Sequence, residues 1–155
     1  MNVIILFGAE YLYLAAVFVA TGYTFVQSRE NRRQIFIFAC IVLPIVYLVS
    51  RVAAFIYYDP RPFVVGHFTP LVPHAPDNGF PSDHALLTAA LAAIITRYNW
   101  KMGAIVWLIA ILVDTARVAA GIHHTIDIAG SVIISITGTL AVYLFLKNVA
   151  YKKVL

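Results

Sequence analysis

A histidine and an aspartate lie four residues apart late in the sequence, at His123 and Asp127. If a helix begins near this point, residues at positions i and i+4 lie on the same helical face. The carboxylate could then accept the imidazole N–H, fix the tautomer of the ring and stabilise the imidazolium. The other ring nitrogen would remain free, so the pair is predicted to act as an oriented nucleophile or base.

A second histidine lies in the segment FPSDHALL, residues 80–87, immediately before a long apolar run. Ser82 is a favourable N-cap residue, so a helix is predicted to begin with Asp83 and His84. The first backbone N–H groups of a helix have no intrahelical partner and, together with the helix dipole, form an anion site. His84 would lie beside a phosphate bound there and could donate a proton to its leaving oxygen.

Two arginines complete a set of residues suited to phosphate. Arg61 lies in the segment DPRPF, and Arg117 lies six residues before His123. The planar guanidinium group matches phosphate oxygens and stays charged. These residues predict phosphoryl transfer without a metal or other cofactor, in which His123 attacks phosphorus in line and water then hydrolyses the phosphohistidine. The arginines and the helix amides would neutralise charge on the transferred group.

The composition indicates that membrane helices must position these residues. The 155-residue chain is 62% hydrophobic and 12% charged, whereas soluble domains have roughly 25% charged residues. The length fits one domain, residues 1–155, and a span needs about 20 apolar residues. Five apolar runs approach that length, at residues 3–26, 34–56, 84–99, 101–119 and 126–147. We therefore predict an all-α, polytopic membrane helix bundle of about five transmembrane helices.

The basic residues predict the orientation of this bundle. Eight of the eleven lysines and arginines fall on one side if the five spans alternate, and the positive-inside rule makes that side cytoplasmic. The N-terminus would then lie outside and the C-terminus inside. All five histidines would lie on the outer side, so the active site is predicted to face the periplasm or exterior of the cell membrane. Because no basic patch lies on a soluble face, a nucleic-acid partner is not expected.

The polar connection at residues 57–82 is predicted to be an ordered loop at the active site. It contains six of the seven prolines, which interrupt helices, and aromatic residues that argue against disorder. Its histidines His67 and His74 are expected to be surface residues, and His124 is expected to be structural or substrate-lining. A metal site formed by His67, His74, His123 and His124 is a weaker alternative, because their spacing matches no known zinc pattern and the arginines would repel a cation.

Three segments together resemble the signature of the type-2 phosphatidic acid phosphatase family of membrane lipid phosphatases. That signature runs Lys-x6-Arg-Pro, then Pro-Ser-Gly-His, then Ser-Arg-x5-His-x3-Asp. The corresponding residues here are Arg61-Pro62, Pro81-Ser82-Asp83-His84 and Arg117-x5-His123-x3-Asp127. The resemblance implies that His123 is the nucleophile, Asp127 its partner and His84 the acid. It also implies three phosphate ligands: Arg61, Arg117 and Ser82.

Three positions depart from that signature. The family lysine would fall at Ala54, and Arg51, one helical turn earlier and longer in reach, is proposed to replace it as a phosphate ligand. Ala116 replaces the serine before the arginine. Asp83 replaces the glycine, as in the bacterial branch that resembles undecaprenyl pyrophosphate phosphatases, and is assigned to the phosphate-binding residues of the first turn. Family members commonly have six spans, so a five-span bundle would lack one N-terminal helix.

The resemblance implies a metal-independent lipid phosphatase whose partners are membrane lipids with phosphate head groups. The leading substrate is undecaprenyl pyrophosphate, hydrolysed to undecaprenyl phosphate at the outer face. Phosphatidic acid, phosphatidylglycerophosphate, lipid A or an archaeal polyprenyl lipid are alternatives. A different class also stays open: a small transporter or a non-catalytic membrane protein that binds phospholipid head groups needs the arginines but no His–Asp pair. No oligomeric state is predicted.

Overall fold

Helices form the secondary structure of residues 2–152, the part of the chain that the computed structural model describes. They are α1 (Asn2–Glu10), α2 (Leu12–Phe25), α3 (Arg29–Ile56), α4 (Pro62–Val65), α5 (Asp83–Tyr98), α6 (Trp100–Ala119) and α7 (Thr125–Lys152). Within these residues no strand forms, and one isolated bridge joins Pro60 to Asn78. The all-α prediction is confirmed, and each predicted span overlaps a helix or, in the first case, a pair of helices.

Three helices are long and apolar enough to cross a membrane: α3, α6 and residues Thr125–Val149 of α7. α1 and α2 meet at a 47° bend and would make a fourth crossing if the pair forms one span. α5 has 16 residues, fewer than the roughly 20 that a span usually needs. The number of five spans and the orientation of the termini therefore stay predictions.

α5 lies at the centre of the bundle, where it packs against α2, α3, α6 and α7. Its small residues Ala85, Ala89 and Ala92 are completely buried, which lets the neighbouring backbones approach closely. Near its C-terminal end, Ile94 and Ile95 join the main hydrophobic core. The central helix therefore fixes its own N-terminus relative to all its neighbours.

Two buried serines of α7 hold the first half of α5 in place. The Oγ of Ser131 donates a hydrogen bond to the carbonyl of Ser82, and the Oγ of Ser135 donates to the carbonyl of Leu86, each at 2.9 Å. The serines are four residues apart, so they share one face of α7. Such interhelical hydrogen bonds contribute about 0.6 kcal/mol each in membrane proteins. They set the start of α5 beside the start of α7.

Side-chain caps start two helices at the opposite end of the bundle. The Oγ of Ser28 accepts from the backbone N–H of Asn31 at 3.3 Å and begins α3. The Oδ1 of Asn99 accepts from the N–H groups of Lys101 and Met102 at 3.0 and 3.1 Å and begins α6. Each cap satisfies backbone donors that a helix leaves without intrahelical partners.

The side chain of Asn78 ties the proline-rich loop to the end of α3. Its Oδ1 accepts from the backbone N–H groups of Asp59 and Phe80 at 2.9 and 3.0 Å. Its Nδ2 donates to the carbonyls of Ala54 and Tyr57, both at 3.0 Å. One amide therefore uses its donors and its acceptor to close the loop over the end of the bundle.

Candidate active site

Six of the eight predicted site residues line one cavity of about 300 Å³ at the start of α5. The cavity also touches the end of α3, the proline-rich loop and the end of α6. Its lining residues are Arg51, Ala54, Arg61, His74, Asp77, Asn78, Phe80, Pro81, Asp83, His84, Arg117 and His123. The other two predicted residues, Ser82 and Asp127, are fully buried behind this lining.

His123 is contacted at both ring nitrogens. Its Nδ1 lies 3.1 Å from Oδ2 of Asp127, while its Nε2 lies 3.1 Å from Nη2 of Arg117 and 3.4 Å from Nη1 of Arg61. An arginine nitrogen only donates, so Nε2 is the acceptor and carries the lone pair. The proton is therefore on Nδ1, which donates to Asp127. The predicted i, i+4 pair is present, with an unprotonated Nε2 facing the cavity.

The surroundings of His123 also favour its neutral form. The side chain is 3% exposed. Burial lowers the pKa of His123 below its ordinary value, and the positive charges of Arg117 and Arg61 lower it further against the opposing hydrogen bond of Asp127. The neutral imidazole is the form that can attack an electrophile.

Both arginines at Nε2 are anchored by other groups. Nη1 of Arg117 donates to the carbonyl of Ala9, in the last turn of α1, at 2.9 Å. Nε of Arg61 donates to Oδ1 of Asp77 at 2.7 Å, and its Nη1 donates to the carbonyl of Ile122 at 2.9 Å. The anchored guanidinium groups border the cavity, where such forks bind phosphate oxygens well.

A glycine makes room for the carboxylate of Asp127. Oδ2 accepts from the backbone N–H of His124 at 2.9 Å as well as from His123. A Cβ added at Gly79 would lie only 2.9 Å from this oxygen. Because any side chain at this position would displace the carboxylate, Gly79 allows the loop backbone to pack against it.

Ser82 occupies the N-cap position and α5 begins at Asp83, as predicted. The Ser82 hydroxyl makes no capping hydrogen bond to an N–H of the helix. The carbonyl of Ser82 accepts a hydrogen bond from Ser131 of α7, which fixes its main chain. The buried Oγ of Ser82 has no hydrogen-bond partner among the described residues. The first-turn N–H groups of α5 therefore lack a side-chain cap, which leaves them available to an anion.

Arg51 and Asp83 form a salt bridge at the edge of the cavity, with Nη2 and Oδ1 2.6 Å apart. Their side chains are 42% and 63% exposed, and exposed ion pairs contribute at most about 1 kcal/mol. Phosphate could therefore replace the carboxylate at this guanidinium at little cost. Ala54, at the position of the family lysine, also lines the cavity but offers no charge.

His84 lies in the first turn of α5 and lines the same cavity. Its ring packs edge-on against Tyr13 of α2, with 4.5 Å between the ring centroids and 85° between the planes. This contact orients the imidazole, and sequence reasoning had not connected Tyr13 with the site.

A comparison with known families decides where this arrangement belongs. Residues 37–151 match the PAP2 superfamily. The chain belongs to the PAP2 superfamily. It is therefore an enzyme, a hydrolase of phosphate esters, as the resemblance implied. With several helices able to cross a membrane, it is also a multi-pass membrane protein.

Curated relatives of this PAP2 protein carry undecaprenyl-diphosphatase names. The chain is 26% identical over 136 residues to undecaprenyl-diphosphatase BcrC of Bacillus subtilis, which spans 88% of this chain and 70% of that protein. It is 28% identical over 123 residues to the putative undecaprenyl-diphosphatase YbjG of Escherichia coli, covering 78% of this chain and 62% of that protein.

Two solved structures share the fold. LpxE of Aquifex aeolicus superposes with a TM-score of 0.61 at 20% identity, covering 84% of this chain and 86% of that one. A PAP2-type phosphatidylglycerolphosphate phosphatase of Bacillus subtilis also gives a TM-score of 0.61, at 23% identity, covering 94% and 74% of the two chains. At these identities the likeness establishes the common fold.

His74 lines the cavity, a position that the sequence did not predict. It is exposed, as a surface residue would be, yet it lines the cavity, with Nε2 3.4 Å from Nη2 of Arg117. Partial burial and the charges of Arg61 and Arg117 lower the pKa of His74 to about 4. The ring is therefore neutral at physiological pH and offers a lone pair to the arginine. No fixed spacing marks it, because its position depends on the path of the loop.

His124 has a partner of its own, as expected for a structural residue. Its Nδ1 lies 2.8 Å from Oδ2 of Asp59. Of the described residues, Asp59, His124 and Asp127 bring metal-ligating atoms within 4.8 Å of one another. This trio differs from the four histidines considered from the sequence. Its carboxylates already accept hydrogen bonds: Asp59 from His124, and Asp127 from His123 and from the backbone of His124.

Proposed function

We propose that this PAP2 protein is a metal-independent lipid phosphatase that works through a phosphohistidine at the outer face of the cell membrane. The state of His123 carries the proposal, since Nδ1 faces Asp127 and the accepting Nε2 faces Arg117 and Arg61. Phosphate oxygens that take over the arginine N–H groups would free this lone pair and bring phosphorus to it.

The proposed first step is attack by Nε2 of His123 on the terminal phosphorus. A P–N bond forms, the P–O bond to the lipid leaving group breaks, and His84, in the protonated form that the bound phosphate anion would favour, gives its proton to the leaving oxygen. Asp127 stabilises the charge on the ring through Nδ1–H. Arg61 and Arg117, with the first N–H groups of α5, neutralise charge on the transferred group.

The second step is hydrolysis of the phosphohistidine. Water attacks phosphorus and gives a proton to His84, now neutral, while the P–N bond breaks and its electron pair returns to Nε2 of His123. The products are inorganic phosphate and the dephosphorylated lipid, and both histidines regain their starting protonation. Arg51 is proposed as an additional phosphate ligand, because its guanidinium borders the cavity at the N-terminus of α5.

The proposed substrate is undecaprenyl pyrophosphate, converted to undecaprenyl phosphate. The names of the curated relatives support this choice, as does Asp83 in place of the family glycine. A cavity of about 300 Å³ suits a phosphate head group, while the prenyl chain would stay in the membrane. The bundle is proposed to have five spans, with the N-terminus outside and the C-terminus in the cytoplasm.

Phosphate release by the purified protein in detergent with excess chelator tests this function. Undecaprenyl pyrophosphate and phosphatidic acid are compared, with His123→Ala and a histidine control alongside. The control is His67→Asn, because His67 is exposed and has φ +52°, a backbone region that asparagine tolerates. We expect chelator-resistant release, faster from undecaprenyl pyrophosphate, that is lost in His123→Ala and kept in His67→Asn.

The same assay separates the enzyme from a non-catalytic head-group binder. A binder would release no phosphate from either lipid, and His123→Ala would leave its lipid binding intact. Faster hydrolysis of phosphatidic acid would keep the mechanism and reject the proposed substrate. Release that stops when chelator is added would reject the metal-independent mechanism.

A further inference from the structure

A second cavity, of about 820 Å³, lies between α2, α3 and α5. Its walls are largely apolar, and Arg29, Arg32 and Arg33 border it at the start of α3. We call it the basic groove. Its volume lies within the ~300–1,000 Å³ typical of small-ligand sites, and none of its lining residues has a role in the proposed phosphatase mechanism.

The apolar part of the basic groove is nearly as long as the hydrocarbon layer of one membrane leaflet is thick. Its wall runs along residues 17–25 of α2, 35–43 of α3 and 87–95 of α5. Eight residue steps at a 1.5 Å rise give about 12 Å along each helix. One leaflet supplies about half of a ~30 Å hydrocarbon core. The groove therefore fits an acyl chain of the leaflet on the side of the arginines.

The arginines of the basic groove lack an anionic partner. No carboxylate of the described residues lies within 4 Å of Arg29, Arg32 or Arg33. The nearby Glu30 instead accepts from Nε2 of Gln34 at 3.5 Å. The three cations also crowd the N-terminus of α3, where the helix dipole disfavours positive charge and favours an anion. An anion at this end would neutralise both the guanidinium groups and the dipole.

We propose that the basic groove binds one anionic phospholipid from the leaflet on the arginine side, with its phosphate among the three arginines and an acyl chain along α2, α3 and α5. The charge at one end and the apolar wall along the rest match the two parts of such a lipid. The site is separate from the phosphatase cavity, so the proposal does not depend on the proposed function.

The hydrocarbon chain of the phosphatase substrate is the competing occupant. Leu87 lines the basic groove and follows His84 by three residues, so the groove begins about one helical turn from the phosphatase cavity. A hydrocarbon chain alone would leave the three unpaired arginines at the far end without an anion. The arginines therefore favour a lipid whose own head group lies there, and variants that change charge or shape separate the two occupants.

Native mass spectrometry of the delipidated full chain, with added phosphatidylglycerol or phosphatidylcholine of the same acyl chains, tests the proposal. We expect one retained phosphatidylglycerol, with at least about tenfold preference over phosphatidylcholine. The triple variant Arg29→Gln, Arg32→Gln, Arg33→Gln should weaken its binding on the order of a hundredfold, since each basic group near an anionic head group contributes about fivefold. Lys101→Gln, a basic residue at the same end but outside the groove, should retain binding.

A second variant keeps the charge and changes the shape. Ala39→Trp fills the basic groove, leaves all three arginines in the sequence and should also abolish retention of phosphatidylglycerol. This second variant keeps the proposal testable if the triple variant does not fold. Equal retention of both lipids, or full retention by the triple variant, would overturn the proposal. If Ala39→Trp loses phosphatidylglycerol and the triple variant retains it, the proposal would also be overturned, and a hydrocarbon chain would be identified as the occupant. His123→Ala should bind phosphatidylglycerol normally even if the phosphatase test fails.

Discussion

The proton on Nδ1 of His123 is the smallest feature on which the proposed chemistry depends. Oδ2 of Asp127 can only accept a hydrogen bond. The proton therefore stays on Nδ1 of His123, and the lone pair is on Nε2. An amide in place of the carboxylate can still accept from Nδ1 and from the backbone N–H of His124 through its oxygen, but it carries no negative charge. The imidazolium that forms when Nε2 bonds phosphorus would then lack an anionic partner.

Asp127→Asn should therefore reduce kcat, by up to about 10⁴-fold, the loss that the corresponding change causes in a serine-protease triad. Phosphate release in detergent measures this effect. Asp59→Asn is the matched control, because Asp59 pairs with His124, and its kcat should stay within a few-fold of the unmodified protein. A loss below tenfold in Asp127→Asn would contradict the proposed stabilisation of the ring by the Asp127 charge.

The protonation of His123 gives a prediction about pH. Its lowered pKa means that the ring of His123 takes up a second proton only below pH 6.5, the ordinary pKa of histidine. As pH falls from 8, the ring should stay neutral through 6.5 and become protonated only at lower pH. Ring-¹⁵N histidine NMR without substrate measures the midpoint, with His123→Ala used for assignment. A midpoint above 6.5 would show that the surroundings do not favour the neutral ring.

At the residue scale, sequence spacing predicted local pairs and missed contacts that depend on the loop. His123 and Asp127 could be paired from the sequence because four residues span one helical turn, and the first of them needs only to adjoin the helix. The approach of His74 to Arg117, and of Gly79 to Asp127, depends on how residues 57–82 fold back. A turn is favoured by the sequence Asp-Asn-Gly at 77–79, but its position over the site is not.

Among the helices, α1 has an unexpected part in the site. Its last turn provides the carbonyl of Ala9, which accepts from Arg117, because the final carbonyls of a helix lack intrahelical partners. Gly8 lies against Ala116, the residue that stands where the family signature has serine. α1 also lies outside the residues that match the PAP2 superfamily. Close packing of α1 on α6 therefore orients Arg117 in this chain.

Gly8→Ala should separate α1 from α6, because the added Cβ would lie 2.8 Å from the Cβ of Ala116. We expect kcat/KM to fall by up to about 10²-fold through misplacement of Arg117. The double variant Gly8→Ala, Ala116→Gly should recover most of the activity. Gly22→Ala, at a glycine whose Cβ would meet nothing within 4 Å, should leave kcat/KM unchanged. Failure of the double variant to recover activity would contradict this role of α1.

At the element scale, the apolar runs predicted the helices but not the break between α1 and α2. The sequence indicated one run at residues 3–26, and no proline or glycine marks the break at Tyr11. The 47° bend instead accompanies packing of α1 and α2 on α6. Hydrophobicity records the length of an apolar run and not the tertiary contacts that bend it.

At the scale of the whole molecule, the two ends of the bundle differ in their chemistry. The phosphatase cavity lies where α3 ends and α5 begins, and the basic groove opens where α3 begins. The positive-inside rule predicts that the arginine end lies in the cytoplasm. A lipid phosphate on the opposite leaflet would then meet the histidines.

Single cysteines test this orientation in a Cys40→Ala background. Pro76→Cys lies in the exposed loop near the cavity, and Asn31→Cys lies in the exposed first turn of α3. In intact bacterial cells, a membrane-impermeant maleimide should label Pro76→Cys and should label Asn31→Cys only after permeabilisation. The reverse pattern would place the phosphatase cavity in the cytoplasm.

Trapping the phosphoryl group on the protein tests the central claim most directly. The purified protein is mixed with undecaprenyl pyrophosphate carrying ³²P in its terminal phosphate, quenched within one turnover and analysed for protein-bound label. We predict a label that is stable in alkali and labile in acid, at no more than one per chain, located at His123 and absent from His123→Ala. Phosphate release without any such label, or a label that persists in His123→Ala, would contradict the phosphohistidine mechanism.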